Sequence, residues 1–312
     1  MTRVAALARV SGHSPAPSPV GARMNDRIQS GTPGEDLLLS PLTLDRFVDE
    51  GIVLPGGGAI NIAWHRARAG SPARVMSRVG EGDRRLFASF LDSHGIRYDP
   101  GSLVAPGLSA SIDISIADDR QPKMGNYVEG VWSDLRLTPD EEATVAGAAT
   151  LHSVLVPAVT REIHRLGDAG RLDGVAVSGD FLDYRYCDER RFAETVRFLD
   201  VGFVGWPGGL GDAEVAGMRR VAFGLRRLVV VTFGALGALA FDGESGRRSF
   251  FPAEAVAVTG TTIGCGDAFI AAFLAARRRR AGLEAAMRAG TLAGAEATAW
   301  RRALPDEAYA ER

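Results

Sequence analysis

The chain has 312 residues, of which 46% are hydrophobic and 24% charged, and its formal net charge is −2. This composition is typical of a globular protein with a sizeable core, and the length suits one large α/β domain with a small appendage. The near-neutral charge gives no field that would favour nucleic acid, and no apolar run reaches the ~20 residues of a membrane span. We therefore expect neither a nucleic-acid partner nor a membrane partner.

In the N-terminal segment, residues 11–34 are rich in Ser, Pro and Gly and have no hydrophobic periodicity. Its apolar stretch over residues 4–10 is too short for the core of a signal peptide. We predict a disordered tail over 1–34 and one folded domain over 35–312. Two cysteines, Cys187 and Cys265, are too few for a disulfide framework, which indicates a reducing, cytoplasmic location.

Strands and helices are predicted to alternate along the folded part. In chain order the pattern predicts a strand over 36–45, a strand over 47–54, a helix over 59–69, a strand over 73–79, a helix over 84–94, a strand over 109–117, a helix over 140–149, a strand over 150–156, a helix over 159–169, a strand over 175–178, a helix over 192–198, a strand over 201–204, a helix over 213–225, strands over 228–232 and 238–242, and helices over 267–280 and 283–300. This alternation indicates an α/β fold with a mostly parallel sheet covered by helices on both faces. The early strands lack helices between them, so we expect a small separate sheet from residues within 37–54 and 109–130.

The most informative segment is Thr261-Thr-Ile-Gly-Cys-Gly-Asp-Ala-Phe269, in which small residues and an acid precede an apolar helix. Backbone N–H groups of Gly264, Cys265 and Gly266 would point from a helix N-terminus at an anion, beside the carboxylate of Asp267. Phosphoryl transfer needs both features, because the moving group carries negative charge and the attacking hydroxyl needs a proton acceptor. The alternative is a tight turn followed by an N-cap aspartate.

Two further segments carry glycines at positions that suit ligand binding. Pro55-Gly-Gly-Gly-Ala-Ile-Asn61 precedes a helix, and Asn61 offers both a donor and an acceptor to a polyol. The segment 229–241 contains a strand, a turn with Gly234 and Gly237, and a second strand, which together could cradle a nucleotide. Taken singly, the first is also explained by an ordinary loop and the second by a plain hairpin.

The three segments, in this order and spacing, resemble the ribokinase-like (phosphofructokinase-B type) carbohydrate kinase family. The matching residues are Gly56, Gly57 and Asn61 of the Gly-Gly-x3-Asn pattern, Thr232, Gly234 and Gly237 of the nucleotide motif, and Thr262, Gly264, Gly266 and Asp267 of the C-terminal signature. The segment 42–45 looks like the family's early strand with its sugar-binding acid, Asp45. The stretch 125–134 is similar to fructoselysine 6-kinase-like members, which place residues near the sugar there, so Trp132 is the tryptophan to test as a ligand contact, although tryptophans more often belong to the core or an interface. The resemblance covers about residues 36–304.

The resemblance implies a role for each matching residue. Asp267 would be the base that accepts the proton of the sugar hydroxyl, with Gly264, Cys265 and Gly266 as the anion hole. The sugar would contact Asp45, Gly56, Gly57 and Asn61, and ATP would lie near Thr232, Gly234, Gly237 and Thr262. ATP and Mg²⁺ would take part in the reaction, and the small sheet would act as a lid that excludes water.

Departures from the family pattern bear on the ions. Thr261 stands where many members carry an aspartate that helps to bind a monovalent cation, which argues against potassium activation. The family's Asn-x-x-Glu motif has no clean match over 204–214, where Asp212 or Glu214 could substitute, so the metal ligands are not assigned.

Alternative functions remain open at this point. The acceptor could be a nucleoside or a cyclic polyol rather than a sugar, since the residues that decide this are the hardest to read. The chain could also be a catalytically weak homologue that binds sugar or nucleotide. A homodimer through the lid sheet is a further hypothesis, because exposed sheet edges tend to be covered.

Overall fold

The computed structural model describes residues 34–310. The predicted tail therefore lies outside the described residues, apart from Gly34. Within the described part the strands are β1 (Asp36–Leu39), β2 (Thr43–Phe47), β3 (Ile52–Gly56), β4 (Arg74–Met76), β5 (Val79–Gly80), β6 (Val104–Ala105), β7 (Ala110–Ile116), β8 (Pro122–Val128), β9 (Thr150–Val154), β10 (Ala176–Asp180), β11 (Val201–Gly205), β12 (Leu228–Thr232), β13 (Ala238–Asp242) and β14 (Arg247–Phe251).

The helices over the same residues begin and end within three residues of the predicted bounds. They are α1 (Gly58–Arg68), α2 (Arg84–Ser93), α3 (Pro139–Ala146), α4 (Pro157–Asp168), α5 (Glu189–Val196), α6 (Ala213–Leu225), α7 (Cys265–Arg278) and α8 (Leu283–Ala297). Two of them, α3 and α4, start with proline at the first helical position, where the missing N–H costs nothing. No helix within 34–310 is long and apolar enough to cross a bilayer.

The central sheet has the order β14-β13-β12-β11-β10-β9-β1-β4. Within this sheet the neighbouring strands β12, β11, β10, β9, β1 and β4 run parallel to one another, and β13 and β14 are antiparallel to their neighbours. Strands β1, β9 and β10 are almost wholly buried because helices cover the sheet on both faces. The predicted α/β fold with a mostly parallel sheet is thus confirmed.

A second sheet, ordered β3-β2-β7-β8, stands apart from the central one. The single strand predicted over 36–45 is wrong, because Ser40 and Pro41 divide it: β1 enters the central sheet and β2 enters the small one. Proline has no N–H to donate to a sheet ladder, so pairing stops there. The strand predicted over 47–54 is likewise interrupted by a turn over 48–51.

The chain order and the spatial order of the parallel strands diverge at β1, which lies between β4 on one side and β9 on the other. In open α/β sheets, ligands bind beyond the carboxyl ends of the strands near such a switch point. The small sheet is connected to β1 and α1 at this same end, so the space between the two sheets is where a ligand is expected to bind.

Candidate active site

Asp267 lies in the first turn of α7, the helix that follows the glycine-rich segment. Gly264 caps this helix with φ 77°, a left-handed conformation that favours glycine, and a Cβ there would come within 2.6 Å of the carbonyl oxygen of Ala303. A Cβ at Gly266 would meet no protein atom within 4 Å. A ligand can therefore approach the first turn of α7 at Gly266, and the first N–H groups of a helix have no partner within it.

The carboxylate of Asp267 accepts a hydrogen bond from Nδ2 of Asn61 at 2.7 Å, although the two residues are 206 positions apart. The pKa of Asp267 is raised to about 6, because burial raises it by more than the hydrogen bond from Asn61 lowers it. Oδ1 of Asn61 is buried and has no hydrogen-bond partner among the described residues. The site thus offers a carboxylate with a pKa near neutrality beside an unused acceptor.

Asn61 reaches Asp267 because β3 turns directly into α1. Gly57 has φ 95° and precedes the helix, and a Cβ on it would approach the carbonyl oxygen of Pro41 to 2.7 Å. Gly58 lies against Asp267 so closely that a Cβ would be 3.2 Å from Oδ1. The small residues therefore allow α1 to begin next to the start of α7.

Two cavities meet at Asp267. The inter-sheet cavity, about 150 Å³, lies between the sheets and is bordered by Asp45, Gly57, Asn61 and Tyr127. The strand-end cavity, about 210 Å³, lies beyond the ends of the parallel strands and is bordered by Asp180, Val204, Thr232 and Gly266. Residues that border both cavities are Leu182, Arg185, Gly264 and Asp267. A group at Asp267 can therefore pass between a ligand in one cavity and a ligand in the other.

Asp45 projects from β2 into the inter-sheet cavity and is 7% exposed. Burial raises its pKa to about 7; the hydrogen bond from Thr43 opposes this shift, and the charge of Asp267 adds to it. Gly56 lies directly against Asp45, since a Cβ there would be 2.1 Å from the carboxylate. The predicted early acid and Gly56 thus pack directly against each other.

Sequence reasoning missed the segment that follows β10. Asp180 ends this strand, is 7% exposed, and accepts a hydrogen bond from the N–H of Leu182 at 2.9 Å. Burial raises the pKa of Asp180 to about 7, with a further contribution from the charge of Asp267. An acid at the carboxyl end of a buried parallel strand was the signal that could have identified it.

The nucleotide motif is only partly at the strand-end cavity. Thr232 borders it, whereas Gly234 is in an exposed 3-10 turn and a Cβ at Gly237 would be 2.2 Å from the carbonyl oxygen of Phe251. The hydroxyl of Thr262 donates to Oε1 of Gln121 at 2.7 Å, at the tip of the β7–β8 hairpin. The roles predicted for these residues toward a nucleotide stay predictions.

Other predicted or considered residues do not border either cavity. The N–H of Cys265 donates to the carbonyl oxygen of Thr262, and burial raises the pKa of its thiol to about 12. Asp212 accepts from Nε1 of Trp206 and the N–H of Gly209, both at 2.8 Å. Trp132, the tryptophan considered as a ligand contact, is fully buried, and its Nε1 donates to the carbonyl oxygen of Arg78.

The fold is that of the ribokinase-like kinases. A ribokinase of Arabidopsis thaliana, solved with ribose and ATP, superposes with a TM-score of 0.69 at 18% identity and covers 87% of this chain and 96% of that one. Residues 208–303 match the model of the pfkB family carbohydrate kinases. Fructoselysine 6-kinase of Shigella flexneri is 28% identical over 244 residues, which are 77% of this chain and 88% of that protein. Cytidine kinase of Thermococcus kodakarensis is 27% identical and covers 77% of this chain and 86% of that protein. The resemblance to the pfkB family that the three motifs indicate is confirmed.

Proposed function

We propose that the protein is an ATP-dependent carbohydrate kinase that transfers the γ-phosphate of ATP to a hydroxyl group of a small sugar or sugar derivative. The observation that carries this proposal is the position of Asp267 at the start of α7, where the two cavities meet. A pfkB family match and kinase relatives support it.

In this proposal the inter-sheet cavity holds the acceptor. Asp267, mostly ionised above its pKa of about 6, takes the proton of the attacking hydroxyl. The unpaired Oδ1 of Asn61 and the carboxylate of Asp45 accept hydrogen bonds from other hydroxyl groups of the acceptor. The small sheet closes over this cavity as a lid, which keeps water from competing as the acceptor.

The strand-end cavity holds the phosphates of ATP in this proposal. The N–H groups of Gly266 and Asp267 have no partner within α7, so they can bind the transferred phosphoryl group, aided by the helix dipole. Thr232 borders the same cavity and would contact the nucleotide.

Mg²⁺ would neutralise the charge of the phosphates. No group of three or more metal-ligating side chains occurs within residues 34–310. Protein sites for Mg²⁺ often use one or two carboxylates together with substrate phosphates and water. Asp180, which borders the strand-end cavity, is the carboxylate that could hold the ion in this way, since Asp183 is engaged by Arg185 and Asp212 by Trp206 and Gly209.

We further propose that residues 35–312 form the kinase domain and that the protein acts in the cytoplasm. A nucleoside acceptor is the second candidate, because the cytidine kinase of Thermococcus kodakarensis is among the relatives.

An acceptor screen tests the proposed function. Purified protein is incubated with Mg²⁺, ATP and a panel of sugars, glycated amines, cyclic polyols and nucleosides, and phosphorylated product is identified by mass spectrometry. We expect turnover with a sugar or sugar derivative, loss of at least a hundredfold in kcat for Asp267→Asn, and wild-type kcat for Asp173→Asn, an exposed aspartate before β10. Ligand-induced thermal shifts without any phosphorylated product would instead support a binding protein.

A further inference from the structure

The charges around the two cavities are unbalanced. The charged residues bordering at least one cavity are four acids (Asp45, Asp180, Asp183 and Asp267) and a single cation, Arg185. No other lysine or arginine of residues 34–310 borders either cavity. A phosphoryl group entering this site would meet carboxylates on several sides, so the one guanidinium has a large share of the compensating charge.

Arg185 is held in place at the junction. Its Nε and Nη2 donate to the two carboxylate oxygens of Asp183 at 2.6 and 2.8 Å, which is a two-point ion pair. A third of the Arg185 side chain is exposed, and the residue borders both cavities, as Gly264 and Asp267 do. The pair uses only part of the five-donor guanidinium, which leaves N–H groups for a second anion.

The backbone of this segment has an unusual conformation. Leu182 and Tyr184 have φ values of 55° and 67°, a region that residues with side chains seldom adopt. The N–H of Leu182 donates to the Asp180 carboxylate, and the carbonyl oxygen of Leu182 accepts from the N–H of Gly205, so both backbone polar groups of Leu182 are held. Such local strain is often retained where it positions a side chain for function.

We propose that Arg185 is a catalytic cation that binds the γ-phosphoryl group as it passes from ATP to the acceptor. In this step the acceptor oxygen bonds to the γ-phosphorus and the bond from that phosphorus to the bridging oxygen breaks, so the bonding electron pair leaves with ADP. The hydroxyl proton goes to the Asp267 carboxylate. The guanidinium contacts the equatorial oxygens, and Asp183 keeps it oriented. This inference rests on the proposed kinase function, which supplies the phosphoryl group.

The effect of the guanidinium should lie in the transfer step more than in binding. A cation that stabilises the transferring group raises kcat, whereas one that only attracts substrate lowers KM. Single donors to a developing charge are worth about 10² to 10³ in rate, and arginines in phosphoryl transfer as much or more. Lysine cannot make the same two-point contact with Asp183 and phosphate, so it should replace arginine poorly.

The test compares Arg185→Ala and Arg185→Lys with wild type, using the acceptor found in the screen. We expect kcat to fall at least about a hundredfold in Arg185→Ala and about tenfold or more in Arg185→Lys. KM for the acceptor and the dissociation constant of ATP should change less than about fivefold. Added guanidinium ion should partly restore kcat of Arg185→Ala only. Arg190→Gln, which removes an exposed arginine of the following helix α5, is the matched control and should keep wild-type kinetics.

The outcomes separate this inference from the proposed function. If Arg185→Lys and Arg185→Ala keep kcat within about threefold of wild type, the inference is wrong and the kinase function stands. A large rise in acceptor KM at unchanged kcat would assign the guanidinium to an anionic group of the acceptor and also overturn it. If the wild-type protein forms no phosphorylated product, both the role of Arg185 and the proposed kinase function are wrong. Thermal melting of each variant identifies loss of folding, and Arg185→Lys carries the comparison if Arg185→Ala is unstable.

Discussion

Removal of the amide of Asn61 should shift the pH dependence of the reaction. Nδ2 of Asn61 donates to the ionised carboxylate of Asp267 at 2.7 Å, which favours the charged form and lowers the pKa. Without this donor, burial acts alone and the pKa rises. A hydrogen bond to a charged group contributes about 1.5 to 3 kcal/mol, and each pKa unit corresponds to about 1.4 kcal/mol, so the expected rise is about one to two units.

The assay is a profile of kcat/KM against pH, which reports the ionisation of the free enzyme. Wild type should lose activity as pH falls through about 6, because protonated Asp267 cannot accept the hydroxyl proton. In Asn61→Leu the acidic limb should lie between about pH 7 and 8. A lower plateau is expected as well, since the acceptor loses a contact, but the plateau does not set the position of the limb.

The control is Asn126→Gly, which removes an exposed amide that donates to Asp113 and has a positive φ that glycine accepts. Its acidic limb should coincide with that of wild type. An unshifted limb in Asn61→Leu would refute the assignment of Asn61 as the group that tunes the base, or of Asp267 as the base itself.

Three other predictions concern the burial of Asp267, the contact between Gln121 and Thr262, and the hydroxyl of Thr261. Asp267→Asn should raise the free energy of unfolding, measured by urea titration at pH 8, by up to about 3 kcal/mol, because the folded state no longer buries a charge whose pKa has risen from 3.8 to about 6. At pH 5 this gain in unfolding free energy should be about half as large, and an equal gain at both pH values would contradict the prediction. Gln121→Ala, which removes the hydrogen bond to Thr262, should weaken closure of the small sheet by about 1 kcal/mol and raise acceptor-independent ATP hydrolysis about fivefold relative to product formation, whereas Lys123→Ala should leave that ratio unchanged. Replacing K⁺ by tetramethylammonium at constant ionic strength should change kcat less than about twofold, since the hydroxyl of Thr261 donates to the carbonyl oxygen of Arg301 where a carboxylate would be needed; strict dependence on K⁺ would show another source of ligands.

The helices and most strands could be predicted because their hydrophobic periodicity is local. The errors have local causes too. The run 36–45 is rich in leucine throughout, and only Ser40 and Pro41 mark the place where one strand leaves the central sheet and the next begins the small one. Strand β14 was missed because its burial is low and its sequence, with two arginines, lacks an apolar face.

The candidate site was partly predictable. Glycines before helices identified Asp267 and Asn61 singly, but their hydrogen bond depends on how α1 and α7 pack, which no local pattern specifies. Arg185 could not be identified because an exposed arginine after a strand usually means a solvated turn. Its importance depends on the acids that other parts of the chain bring to the same place.

The wide separation of Asn61 and Asp267 along the chain has a consequence for biosynthesis. During translation the amino-terminal strands and α1 leave the ribosome long before α7 is made. A nascent or truncated chain that ends before residue 265 therefore lacks Asp267 and the whole of α7. Non-local pairings of this kind form late and close large loops. If the protein has the proposed kinase function, it gains the ability to consume ATP only when nearly all of its polypeptide has been made and folded.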